Sequence, residues 1–216
     1  MEIKVSKFGG SPLADAGQFA KVKDILLSDP ARHYVVPSAP GKRNGQDKKI
    51  TDMLYECHRL ARAGEDFATL FETIADRYRC IARDLALDTP LEDRLIEIRE
   101  GIRASAQPDY AASRGEYLNG ILLADYLGWD FVDAADGIIF GDDGKLDQNE
   151  TQDTLSKLLK AHPYAVVPGF YGRMKDGTVH TFSRGGSDIS GAIVARAVHA
   201  DLYENWTDVS GCLMAD

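Results

Sequence analysis

Four short stretches of this 216-residue chain place charged residues close to glycine. In "KFGGS", Lys7 precedes Gly9, Gly10 and Ser11. A strand that feeds two glycines can turn successive backbone N–H groups toward an anion, and the lysine adds a point charge able to follow phosphate oxygens. The same letters also fit a plain strand-to-helix turn with a solvated lysine. In "SRGGSD", Arg184 offers a rigid fork of donors suited to a carboxylate or phosphate. Gly185 and Gly186 admit close backbone approach. Ser187 and Asp188 fall at the predicted mouth of a helix, where either fits an N-cap and where an anion is also stabilised. "SRGEYLNG" places Arg114 and Glu116 at a predicted helix start, with Ser113 as cap and Glu116 favourable to the helix dipole. "WTDVSG" sets Thr207 and Asp208 at a strand end, the edge where open α/β sheets bind ligands, although an ordinary turn reads the same.

Other polar candidates carry less. The five histidines show no metal-binding spacing. The basic loop "KRNGQDKK", 42–49, reads as solvated surface or as a loop that meets phosphates. Neither G-x-x-x-x-G-K-[ST] nor a G-x-G-x-x-G after the first strand occurs, so a P-loop is excluded and a dinucleotide fold disfavoured.

The elements that would position these groups follow from hydrophobic spacing. Ile3, Val5 and Phe8 read as a strand ending at Gly9-Gly10, and Phe19, Val22, Ile25 and Leu26 as a helix. Tyr34 to Val36 read as a strand, and Ile50, Met53, Leu54 and Cys57 open a helical stripe. From Phe67 to Arg103 the chain reads as helical, broken at Asp88-Thr89-Pro90; the block of about 66–106 is expected to be a lid-like insert within one domain. A further helix closes at Gly128. The second half alternates: "DFVDA" and "GIIF" as strands, "ETQDTLSKLLKA" as a helix, "YAVVPGFYG" and "TVHTF" as strands, "SDISGAIVARAVHA" as a helix, "DLYENWTDVSG" as a strand and turn. That alternation predicts an α/β fold with a mostly parallel sheet covered on both faces.

Composition sets outer limits. At 44% hydrophobic the chain can bury one sizeable core, and a net charge of −9 excludes a global basic field for nucleic acid. Three cysteines without C-x-x-C spacing fit a reducing cytoplasm. No apolar signal core and no run of about 18 apolar residues is present, so no membrane partner is expected.

Taken in order, "KFGGS", "SRGE", "SRGGSD" and "WTDVSG" resemble the aspartokinases of the amino acid kinase family, over Met1 to Asp216. The resemblance implies a three-layer αβα sandwich that phosphorylates the side-chain carboxylate of L-aspartate with ATP and Mg2+. It implies that Lys7 stabilises the transferred phosphoryl group and that Asp188 orients Lys7 and substrate. Gly9, Gly10, Ser11, Gly185, Gly186 and Ser187 would line the phosphates. Glu116 would meet the α-amino group, Arg184 the α-carboxylate, and Ser38 and Thr51 would stand near the substrate as small hydroxyl residues. Thr207 and Asp208 would begin the adenine-nucleotide site, and no resident metal ligand is implied. Ser11-Pro12 and "SAPGKR" depart from the commoner family forms. Asp216 falls where the family continues into Pro-Arg, a later lysine strand and regulatory ACT domains. The resemblance therefore implies a catalytic-domain fragment of a homo-oligomeric protein, with little turnover alone. Kinases of glutamate, acetylglutamate or UMP, and a non-catalytic binding fragment, are the competing readings.

Overall fold

The computed structural model describes residues 2–183 and 185–207. Strand β1 is Lys4–Phe8, helix α1 Ala16–Leu27 and strand β2 Arg32–Pro37. Helices α2 (Ile50–Ala63), α3 (Ala68–Asp84), α4 (Leu91–Ala104) and α5 (Asp109–Leu127) follow without an intervening strand. The chain then alternates: β3 (Asp130–Phe131), α6 (Ala134–Gly137), β4 (Ile139–Phe140), α7 (Gln148–Lys160), β5 (Ala165–Val166), β6 (Tyr171–Met174), β7 (Val179–Thr181), α8 (Gly186–Ala197) and β8 (Leu202–Trp206).

The main sheet runs β3-β5-β2-β1-β8 and every pair in it is parallel. Side chains alternate across a strand, so one strand can feed two cores. Val35 and Val166 pack among α1 to α5 on one face. Their neighbours Tyr34, Val36, Ala165 and Val167 pack with Leu155, Leu159 and Val194 of α7 and α8 on the other. Two cores on the two faces of one parallel sheet make the three layers expected from the alternation and the resemblance.

Several details depart from the sequence reading, each for a local reason. "YAVVPGFYG" splits into β5 and β6, because Pro168 cannot donate to a ladder and Phe170 takes a left-handed φ of 80°. β6 then joins β4 and β7 in a second, three-stranded sheet in which β6 and β7 are antiparallel. Helix α5 starts at Asp109, so Arg114 and Glu116 lie within it and Ser113 is no cap; its Oγ donates to Tyr110 O at 2.8 Å. Helix α8 is capped by Gly185 at φ 65°, with no side-chain cap bond, so neither Ser187 nor Asp188 is an N-cap. No helix among the described residues is long and apolar enough to cross a membrane.

Candidate functional site

Parallel pairing brings the C-terminal ends of β1, β2, β5 and β8 to one edge. Lys7 stands opposite Val36 on β2 and Asn205 on β8. One residue past the strands, the Gly9 N–H donates to Trp206 O at 3.2 Å, placing Gly9 beside Thr207. Ser38 leaves the end of β2, its N–H donating to Phe8 O at 3.0 Å.

Lys7 is buried, yet its Nζ lies 2.8 Å from Asp188 Oδ1 in the first turn of α8. Asp188 is half exposed and also accepts from Asn205 Nδ2 at 3.0 Å. The lysine points along the sheet edge, with a carboxylate fixing its direction. Gly186 brings the start of α8 close to the 168–170 loop. A side chain at Gly186 would put its Cβ 2.7 Å from the Phe170 ring. Ser187 sits against Gly169 in the same way.

A cavity of about 380 Å³ opens beside this edge. Gly10, Ser11, Ser38, Thr51 and Glu116 line it, with Lys42 and Lys49 on the β2–α2 loop. Thr51 enters from the first turn of α2, and Glu116 from the middle of α5. Asn119, one turn after Glu116, fastens Ser38 by donating from Nδ2 to its carbonyl at 2.6 Å.

Glu116 is the unusual member. It is 5% exposed, and its Oε2 has no hydrogen-bond partner. Burial pushes its carboxyl up to about 8, a rise opposed by the Ala39 N–H and by the charge of Arg114. Arg114 lies over the rings of Tyr117, Tyr110 and Tyr171 at 4.4, 4.8 and 5.2 Å and forms no ion pair among the described residues. A buried carboxyl with a spare oxygen, on a residue that lines a cavity, is suited to receive a cation. A larger cavity of about 710 Å³ lies between 104–110 and the β6–β7 hairpin, but none of the motif residues lines it.

Two close approaches hold the site's walls together. Gly41 N–H donates to Gly10 O at 2.8 Å, and a Cβ on Gly41 would fall 2.6 Å from Gly10 C. Backbone meets backbone there, so nothing flexible can yield. Gly41→Ala is therefore expected to lower stability by about 1–3 kcal/mol, measured by denaturant unfolding, through separation of the two loops.

Of the residues singled out from sequence, Gly10, Ser11, Ser38, Thr51 and Glu116 share this cavity, and Lys7, Gly9, Asp188 and Thr207 share the adjoining sheet edge. Arg184 and Asp208 lie outside the described residues. Sequence reasoning missed Asn119, Asn205 and Phe170. Only Phe170 carried a signal, since Pro-Gly-Phe interrupts an apolar run. Among the described residues no cluster of three His, Cys, Asp or Glu is arranged to hold a metal ion.

A family model described as the amino acid kinase family matches residues 2–216, and the chain belongs to that family. It is 39% identical to aspartokinase 3 of Bacillus subtilis (strain 168), over 96% of this chain and 49% of the relative. The lysine-sensitive aspartokinase 3 of Escherichia coli (strain K12) is 28% identical over 100% of this chain and 51% of its own length. Among solved structures, the aspartate kinase of Clostridium acetobutylicum superposes with a TM-score of 0.96 at 50% identity, covering 100% of this chain and 50% of that one. The E. coli aspartokinase III complex with aspartate and ADP gives 0.82 at 27% identity, covering 97% of this chain and 50% of that one. The chain spans about half the length of the curated relatives it matches.

Proposed function

We propose that this chain forms the catalytic domain of an enzyme that transfers the γ-phosphoryl group of MgATP to the side-chain carboxylate of L-aspartate, giving 4-phospho-L-aspartate, the first step toward lysine, threonine and methionine. The observation that carries the reading is Glu116, a buried carboxyl with an unpartnered oxygen on a residue that lines a cavity sized for a small ligand. Its ionised form requires a cation, which an amino acid's ammonium supplies and which acetylglutamate and UMP lack. The likeness to an aspartokinase solved with aspartate and ADP supports the same choice.

In this reading a carboxylate oxygen of aspartate forms a bond to the γ-phosphorus as the bond to the β,γ-bridging oxygen breaks, and ADP leaves with that electron pair. Little covalent help is needed; positioning and charge neutralisation do the work. Lys7 offsets charge on the phosphoryl group, and Asp188 aims Lys7. Gly9, Gly10 and Ser11, with Gly185, Gly186 and Ser187 at the start of α8, face the phosphates. Arg184 holds the α-carboxylate, Ser38 and Thr51 hold the substrate from the β2 side, and Thr207 and Asp208 begin the nucleotide site. Magnesium arrives on the nucleotide and neutralises its phosphates. The protein so proposed is cytoplasmic and homo-oligomeric.

A coupled assay of the full-length protein against aspartate, glutamate, acetylglutamate and UMP tests this, with turnover expected for aspartate alone. Arg184→Lys keeps the charge but loses a bidentate pair, so the aspartate KM should rise about tenfold with the ATP KM unmoved. Preferred turnover of another acceptor, or an unchanged aspartate KM, counts against the assignment.

A further inference from the structure

The helical block α3–α4 is tied to the site by one side chain that the chemistry above does not use. Arg77, on α3, is 6% exposed. Its guanidinium donates to three acceptors on two segments: from Nε to Ala14 O at 3.2 Å, from Nη1 to Asp47 Oδ2 at 2.9 Å, and from Nη2 to Gly41 O at 2.5 Å. Ala14 closes the turn that begins at Gly9-Gly10. Gly41 and Asp47 belong to the loop joining β2 to α2, whose Lys42 and Lys49 line the cavity beside Thr51.

That loop has little else to hold it. Lys42, Arg43, Asn44, Gly45, Gln46, Lys48 and Lys49 are exposed, and a Cβ on Gly45 would meet nothing. Asp47 is its interior anchor. Arg43 donates to Asp47 from its backbone N–H at 2.9 Å and from its side chain at 2.8 Å, and Arg77 donates from the other side. Arg43 first, and then Arg77, hold the Asp47 carboxyl well below the usual carboxylate range. The lid-like insert expected from sequence thus meets the site as a buttress under one of its loops.

Resting on the aspartate kinase reading, we propose that Arg77 is a positioning residue for the amino-acid substrate: it sets the spacing between the glycine turn after β1 and the loop after β2. Gly10, Ser11 and Gly41 line the cavity, and Arg77 grips the carbonyl of Gly41 and the end of the turn that carries Gly10 and Ser11. An arginine is needed because three acceptors spread over two segments call for a planar fork of donors; an ammonium offers no such geometry.

The test uses the full-length protein and two substitutions. Arg77→Lys keeps the cation and loses the fork. Asp47→Asn keeps the side chain's size and one acceptor oxygen and loses the charge that both arginines grip. Displacements of about 1 Å at a site cost up to roughly a hundredfold, so the aspartate KM should rise by about tenfold to a hundredfold in Arg77→Lys and by less in Asp47→Asn. The double variant should cost less than the two changes combined, since both break one contact. The aspartate KM should rise by more than the ATP KM, because two of the three bonds hold the β2–α2 loop on the substrate side and one holds the turn that carries Gly10 and Ser11, with kcat at saturating substrates near wild type and a modest loss of melting temperature. Aspartate KM values unchanged in both variants, or aspartate and ATP KM values rising by the same factor, overturn the proposal. A wild-type protein with no aspartate turnover overturns the function reading and this inference with it; an active wild type with unmoved variants overturns this inference alone.

Discussion

Lys7→Ala in the full-length protein is expected to lower kcat by a factor of about 10²–10³ while the aspartate KM changes little. The expectation rests on where the ammonium is held. Lys7 lies on β1, which is paired on both sides, to β2 and to β8, so its backbone has no freedom to drift. Its Nζ is 2.8 Å from Asp188, which Asn205 fixes in turn. A cation so fixed requires no reorganisation as negative charge moves from the nucleotide to its acceptor, and its contribution grows at the transition state. In the proposed reaction aspartate is held by other groups, so kcat and not KM is expected to carry the loss. Asp188 is half exposed, so Lys7→Ala leaves no buried unpaired charge and should alter stability little. Asp188→Asn keeps a hydrogen-bond acceptor for Lys7 and should cost less than Lys7→Ala. Steady-state kinetics with unfolding measured alongside checks this; a Lys7→Ala enzyme with normal kcat rejects the assignment.

How much of this could be read from sequence depends on the range over which each feature is decided. The helical stripes of α2 and α3 and the break before α4 follow from spacing within one or two turns, and all appear as expected. Lys7, Gly10 and Glu116 were legible because each sits inside a compact motif. Where "YAVVPGFYG" divides was only hinted at by Pro168-Gly169, since the left-handed turn at Phe170 that completes the break has no letter of its own. The start of α5 was misplaced because Ser113 and Glu116 imitate a capping box, although Ser113 bonds backward to Tyr110 within the helix. Arg77 gave no signal at all. It occupies an ordinary helical position, and its acceptors lie 30 to 63 residues away. The same distance hid the role of the 42–49 loop, which reads as solvated surface until its anchor is seen.

Glu116 should make aspartate bind more tightly as the pH rises toward 8. In the unliganded protein, burial pushes its carboxyl up to about 8, so below that pH it is mostly protonated. An ammonium requires the carboxylate, so binding must expel the proton. The aspartate Kd is then expected to fall about tenfold per pH unit below 8 and to level off above it. Stability runs the other way. The unfolded carboxyl titrates near its ordinary value of 4.5, lower than in the folded state. Between the two values the unfolded chain holds fewer protons, so the unliganded protein loses stability as the pH rises through that window, by up to a few kcal/mol. Glu116→Gln keeps the size and removes the titration. It should be more stable than wild type at about pH 8 and no more so at about pH 4, and it should bind aspartate weakly without pH dependence, at a cost of about 2–5 kcal/mol. Denaturant unfolding across this range, with calorimetry in two buffers of different ionisation enthalpy to count the proton released, gives both halves. A wild-type affinity that is flat with pH, or a Gln variant that binds aspartate normally, rejects the role. A structural carboxylate would instead lose stability along with its charge, so a variant that is firmer and yet blind to aspartate identifies a group kept for its ligand.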